Sequence, residues 1–510
     1  MFGLNTVVIC AFIVTIVLGG CTNWPSVSRV SADRQSSTST GSLSQICENL
    51  LDQIERRVVA AGVADRQDTR VSGYPYLRVN RFLADFRTAA YGIAFDDWVR
   101  RMQSLAIRGI EAEILNLPVA DQTALAQLIQ SEALSGLSVS EAIHRCADAL
   151  RTRDSNHSRD REQIRNRANR PDAYRYWQRV VGLYPVTAPV FRIGIGRWHD
   201  ETRERFAIPV SSLDIKGRLI RYGPPADRAL DGEEVRRILA NTASDALGIP
   251  RLSPAEYARL FAHYAPYFDI DVVTNDDRPG RIRLDAQGRP FVDSDLPVVY
   301  LNPSFTRFAQ KNLLQLNYTI WFPSRPAESS VDLLSGDLDG ITWRVTLLPD
   351  GRPWVFDTIH NCGCYHLFFP SQFAKIREPQ SFLDENAFMP QSNVRIDFDR
   401  RPIIRIASRT HYIERLIYGN ERQGHAATYR FESADRLRSL PIPNGGRKSL
   451  YGEHGIVEIS QRAERFFFWP MGIPSPGAMR QWGHHATAFV GRRHFDDPRL
   501  FEENFEITNP

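Results

Sequence analysis

Leu314-Gln315-Leu316-Asn317-Tyr318-Thr319-Ile320-Trp321 alternates side chains in the period-two pattern of a strand with one apolar face. Thr342 to Leu347 repeats the pattern, Pro349-Asp350-Gly351 supplies a turn, and Pro353 to Ile359 returns after it. Further on, Val394 to Phe398 and Pro402 to Ser408 flank Asp399-Arg400-Arg401 in the same manner. These runs predict an antiparallel β domain over residues 296–430, closed or stacked so that its apolar face is hidden.

Ahead of it the period lengthens. Ile46, Leu50, Ile54 and Val58 mark one helix, Phe95, Trp98, Met102 and Leu105 another, and Val139, Ile143, Cys146 and Leu150 a third, opened by the capping box of Ser138 and Glu141. Residues 45–170 are therefore a helical region ending in the charged run Arg151 to Arg170, a solvated linker or exposed helix that could also touch anionic lipid. Residues 171–295 are mixed: Glu233 to Leu247 reads as a helix stopped by Gly248 and Pro250, and Ser253-Pro254-Ala255-Glu256 as the start of the next. Residues 431–510, dense in Pro, Gly, Arg and aromatics, have no clean period and should wrap the β core. The fold class is α+β, helices first and an antiparallel sheet after them.

Composition sets the scale. With 43% hydrophobic and 24% charged residues the chain can build two or three cores. The 63 basic and 59 acidic residues leave a net charge of only +4, and the arginines are dispersed, which argues against a nucleic-acid partner.

The first 21 residues, MFGLNTVVICAFIVTIVLGGC, address the protein. The apolar run Val7 to Leu18 is shorter than the roughly 20 residues that cross a bilayer and suits a signal peptide over residues 1–20. Leu18-Gly19-Gly20-Cys21 resembles the lipobox of bacterial lipoproteins. That resemblance implies cleavage before Cys21, acylation of its sulfur and new amino terminus, and, from Thr22 after the cysteine, sorting to the outer membrane, facing the periplasm. Several acyl chains at about 0.8 kcal/mol per buried CH₂ hold a domain on a bilayer without a transmembrane helix. Residues 21–44, rich in Ser and Thr, then read as a disordered tether.

Of the six cysteines, Cys10 leaves with the signal and Cys21 carries lipid, so Cys47, Cys146, Cys362 and Cys364 remain, an even set in an oxidising compartment. Cys47 and Cys146 lie near the two ends of the helical region, where a bridge would close the bundle. His360-Asn361-Cys362-Gly363-Cys364-Tyr365-His366 is the densest set of reactive side chains in the sequence. On a straight strand His360 and His366 would stand roughly 20 Å apart, so a zinc or copper site using His360, Cys362, Cys364 and His366 needs the chain to fold back at Gly363. His484, His485 and His494 are distant ligands that could complete it. The other readings of the segment are a disulfide between Cys362 and Cys364 or from them to Cys47 and Cys146, buried thiols beside hydrogen-bonded histidines, and a nucleophilic cysteine with His360 or His366 as base.

No G-x-S-x-G, H-E-x-x-H, P-loop or G-x-G-x-x-G pattern is present, and Gly194-Ile195-Gly196 lacks the third glycine of a dinucleotide site. Trp198-His199-Asp200-Glu201 reads as an exposed polar helix start, Asp337 and Asp339 as a tight turn between strands with a glycosidase-like carboxylate pair as the other reading, and Asp269 to Asp277 as a solvated turn with calcium as the lesser option. Two functions follow: a lipid-anchored envelope component that binds an envelope protein or glycan, or an extracytoplasmic metal-dependent hydrolase built on His360 to His366.

Overall fold

The computed structural model describes residues 42–130, 133–225, 232–329, 331–377, 385–391, 394–397, 400–418 and 425–508. The expected signal peptide, Cys21, nearly all of the tether, and Phe398 and Asp399 lie outside the described residues. Residues Leu43–Pro510 form a compact unit by themselves, and the core clusters are built within it.

The fold is α+β, with helices leading and a mainly antiparallel sheet following. Helices Leu43–Ala60, Ile93–Leu115 and Val139–Ser155 bury the stripes their sequences mark, including Leu50, Ile54, Val58, Phe95, Trp98, Met102, Ile143 and Leu150. The Ser138 hydroxyl accepts the Glu141 N–H while the Glu141 carboxylate accepts the Ser138 N–H, so the capping box is complete. Cys47 and Cys146 are joined across a separation of 99 residues. A loop of that size places the bridge's contribution at about 4 to 5 kcal/mol in the chain-entropy account.

The principal sheet has six strands in the order Leu367–Pro370, Pro353–His360, Gly336–Leu347, Lys311–Arg325, Val298–Phe308 and Arg430–Ser433, antiparallel except for the last pair. A second sheet of five strands, Ile413–Ile417, Ile403–Ile406, Tyr267–Val272, Arg218–Gly223 and His425–Thr428, mixes parallel and antiparallel pairs. It takes strands from both sides of residue 296. Leu314, Leu316, Tyr318 and Ile320 share one core with Ile341, Trp343 and Val345 from the first sheet and with Phe268, Ile270, Ile404 and Ile406 from the second. The apolar face is thus hidden by stacking.

The polar face is buried as well. Gln315, Asn317, Arg344, Thr346 and Asp357 are each at most 2% exposed. The C-terminal residues lie over that face, where the Phe495 carbonyl accepts from Arg344 Nη1 at 2.5 Å. Those residues contain only short helices and strands, the last being Phe505–Ile507 paired with Ala374–Ile376.

Several local expectations are corrected. The helix read over Glu233 to Leu247 spans Gly232–Asn241. The Asp245 carboxylate accepts the N–H groups of Leu247 and Ile249 at 3.0 and 2.9 Å, which turns the chain out of the helix before Gly248. Ser253 caps Pro254–Tyr264 as expected. Trp198 to Glu201 is no helix start but the middle of the long helix Tyr184–Ala207. Asp269 and Asp271 lie in a strand, not a solvated turn, because each has a guanidinium partner: Arg221 grips Asp269 at 2.6 and 2.7 Å, and Arg405 meets Asp271 at 2.7 Å. The Arg151 to Arg170 run includes the helix Ser158–Arg167, whose Ile164 is fully buried. Arg170 reaches the carbonyls of Gln67 and Gly483.

Candidate functional site

Period-two alternation in Gly336–Leu347 sets Asp339 on the same face as Ile341, Trp343 and Val345, opposite Phe322 in the neighbouring strand. The reading of Asp337 and Asp339 as a tight turn is therefore corrected. A carboxylate on an apolar face must be paired, and this one is met from three directions. His411 Nδ1 lies 2.8 Å from Oδ2, Arg462 Nη2 lies 3.3 Å from Oδ1, and the Gly340 N–H donates to Oδ1 at 2.9 Å. His360 Nδ1 stands 3.6 Å from Oδ1, beyond hydrogen-bond reach, and has no hydrogen-bond partner among the described residues. Burial would push the Asp339 carboxyl up, but the Arg462 guanidinium and the two imidazoles hold it well below the usual carboxylate range. Burial pushes the His360 imidazole below its ordinary 6.5, with Asp339 opposing.

The His411 ring stacks on Phe322 with centroids 3.9 Å apart, and its Nε2 faces Asp277 Oδ1 at 3.7 Å. Asp277 in turn accepts the N–H groups of Val273, Thr274 and Arg409. Glu464 is 3% exposed near Arg462, Arg325 and Arg480. Burial raises its carboxyl to about 7 despite these three cations. A Cβ at Gly477 would collide with that carboxyl, and φ there is +82°, so glycine is required twice over.

His360 opens from this buried cluster onto a cleft. The cleft lies between the long helix, which contributes Trp198, Glu201, Thr202 and Arg205, and the strand residues Thr358 and His360, with Tyr365 and Tyr412 from the loops beside them. The aromatic rings adjoin: Trp198 and Tyr365 centroids are 5.2 Å apart, Tyr365 and Tyr412 4.7 Å, and His360 meets Tyr365 edge-on at 5.0 Å. Arg325 Nη2 donates to the Tyr412 hydroxyl at 3.3 Å.

The segment His360 to His366 forms the hairpin between Pro353–His360 and Leu367–Pro370, and the chain does fold back at Gly363, with φ +93°. A Cβ there would sit 2.7 Å from the Ala486 carbonyl. The four side chains, however, are not brought to one point. His360 faces Asp339. His366 instead sets Nε2 2.8 Å from Asp357 and Nδ1 3.2 Å from the Thr487 hydroxyl, and burial lowers its imidazole to about 3 with Asp357 opposing. Cys362 and Cys364 are free thiols lining a small recess with Thr487 and Phe489. The Cys364 N–H points at Cys362 Sγ at 3.4 Å, and a hydrogen bond from the Cys364 thiol lowers the Cys362 thiol while raising its own. Among the described residues no group of three or more His, Cys, Asp and Glu is arranged to hold a metal ion. His484 is engaged with the Arg66 carbonyl, His485 packs edge-on against Phe495, and His494 bonds to Asp172.

Sequence reading reached His360, named Asp339 only as a turn residue or one of a carboxylate pair, and missed His411, Arg462 and Tyr412. A signal for Asp339 was present: the alternation of Thr342 to Leu347, run three residues further back, lands on it. Comparison with family models, with curated proteins and with solved structures finds no match for this chain.

Proposed function

We propose that the protein is a lipid-anchored component of the bacterial cell envelope, held by Cys21 on the outer membrane and facing the periplasm, that binds a glycan in the cleft between the long helix and the sheets. The cleft lining carries the reading. Trp198, Tyr365 and Tyr412 offer apolar rings suited to the C–H faces of sugars, while Glu201, Arg205, Thr358 and His360 supply hydrogen-bonding groups for hydroxyls. The His360 ring lies 3.6 Å from the Asp339 carboxylate and edge-on to Tyr365, and Arg325 donates to the Tyr412 hydroxyl.

Titration calorimetry with soluble peptidoglycan fragments and with lipopolysaccharide core oligosaccharide tests the binding. Saturable heat is expected with one of them, and Trp198→Ala should weaken it at least about tenfold, roughly 1.4 kcal/mol. No saturable heat with either removes the glycan reading. Acylation is tested separately by palmitate labelling, which Cys21→Ala should abolish.

A second reading, an extracytoplasmic hydrolase, is favoured by one observation: His360, an imidazole kept neutral by burial beside the Asp339 carboxylate, sits in the cleft wall as a general base would. In its metal-dependent form, His360, Cys362, Cys364 and His366 would have to leave their present partners to converge on zinc or copper. Elemental analysis of native protein separates the two forms, because stoichiometric metal lost in Cys362→Ser requires such a rearrangement.

A further inference from the structure

Between Tyr176 and Ile193 the chain exposes what soluble surfaces hide. Trp177, Val181, Leu183, Val186, Val190 and Ile193 are each between 57% and 69% exposed. They belong to helix Tyr176–Val181, its turn, and the first half of the long helix Tyr184–Ala207. Phe466 and Phe467, on helix Arg465–Phe468, extend the patch. Side chains added at Gly194 and Gly196 would meet nothing within 4 Å, so the long helix is bare there as well.

The lobe is held to the body rather than loose. The Arg175 N–H donates to the Gly472 carbonyl at 2.7 Å, Arg179 reaches the carbonyls of Met471 and Gly491 at 2.9 and 2.6 Å, and Phe191 packs edge-on against Phe468. A fixed, exposed apolar surface needs a cover. Charge indicates which. From Ala173 to His199 the sequence has no Asp or Glu and four arginines, Arg175, Arg179, Arg192 and Arg197. Arg465 adds a cation over the Phe466 ring, 4.8 Å from its centroid. Arg179 is engaged by the body, but Arg175, Arg192, Arg197 and Arg465 are accessible, and apolar side chains with Trp and Tyr beside such cations suit the interface of an anionic bilayer. No helix among the described residues is long and apolar enough to cross a membrane.

We propose that this lobe lies in the surface of an anionic lipid bilayer, with the exposed apolar side chains of Trp177, Val181, Leu183, Val186, Val190, Ile193 and Phe466 sunk among the acyl chains. The site is separate from the lipid on Cys21. It rests on the envelope reading for its membrane but not on acylation. The lobe fixes how the domain stands on the lipid.

The test uses Leu43–Pro510, the compact unit without the anchor, and flotation with vesicles of phosphatidylethanolamine and phosphatidylglycerol. The wild-type unit should float with the vesicles, and less when phosphatidylglycerol is omitted. Val186→Asp combined with Val190→Asp should cut partition at least about tenfold while leaving the thermal melt unchanged, since both side chains are exposed. Failure of the wild-type unit to float, or equal flotation of the double variant, overturns the proposal. So does a lipid-free wild-type dimer in light scattering that the double variant converts to monomer, which would assign the lobe to a second copy. Because Cys21 is absent from this unit, none of these results bears on acylation, which palmitate labelling decides.

Discussion

The helical region and the sheet region fill their interiors by different means. Around Trp98 and Met102 the core is apolar and closed by the Cys47–Cys146 bridge, and its buried ions Arg78 and Glu113 belong to a network that reaches Arg438 through Asp65. The principal sheet keeps ions within it: Asp339 with His411 and Arg462 on the apolar face, Arg344 with Asp357 and His366 on the other. An apolar core depends on volume and tolerates gradual change. A buried ion set depends on completeness, because removing one member strands the others without water. The difference also separates roles, since only the ionic interior opens onto the cleft.

Removing Asp339 tests that contrast most severely. Asp339→Ala leaves Arg462 and two imidazoles facing apolar side chains and should cost about 5 kcal/mol in urea unfolding, the upper end for breaking a buried pair. A cost under about 1 kcal/mol would place the cluster outside the stability of the sheet. Replacing Cys47 and Cys146 together by Ala should cost about 4 kcal/mol, with the helical region losing protection in hydrogen exchange before the sheet does. Simultaneous loss in both regions would merge them into one cooperative unit.

Glu464 gives a smaller, pH-dependent effect. Its carboxyl titrates at about 7 folded against an ordinary 4.5, so the folded chain holds this proton longer than the unfolded chain. The contribution is full below pH 4.5 and is lost as pH rises through 7. Relative to Glu464→Gln, the wild type should lose about 3 kcal/mol between pH 4.5 and 8, measured as the difference between the two urea midpoints. His366 has the opposite sign: lowered to about 3, it costs stability as pH falls from 6.5 toward 3. The smallest effect falls in the helical region, where Ser138→Ala should cost about 1 kcal/mol through the lost cap.

How legible each part was follows from the range of the forces involved. Alternation in Leu314 to Trp321 shows that a strand exists, and the stripe around Trp98 shows a helix, because each pattern repeats within a few residues. Ser138 and Ser253 announce helix starts because a cap is a contact three residues long. Asp245 ended its helix early because its carboxylate competes for backbone N–H groups, a choice that composition alone leaves open. Asp339 was misjudged because Gly-Asp-Leu-Asp-Gly has the composition of a turn, and only pairing with Phe322 and Ser324 makes it a strand.

By itself the sequence determined the fold class and the capped helices, and it offered Cys47 with Cys146 as one of several cysteine pairings, which the structure selects. It also marked the hairpin bend at Gly363 on which a single metal site would depend. Tertiary structure alone decided that Asp277, Asp339, His360, His411 and Arg462 meet, that Trp198 faces Tyr365 across a cleft, and that the polar face of the sheet is covered. Local periodicity records which way a side chain points. What it points at depends on segments hundreds of residues away, and a buried charge finds its partner only when those segments close around it.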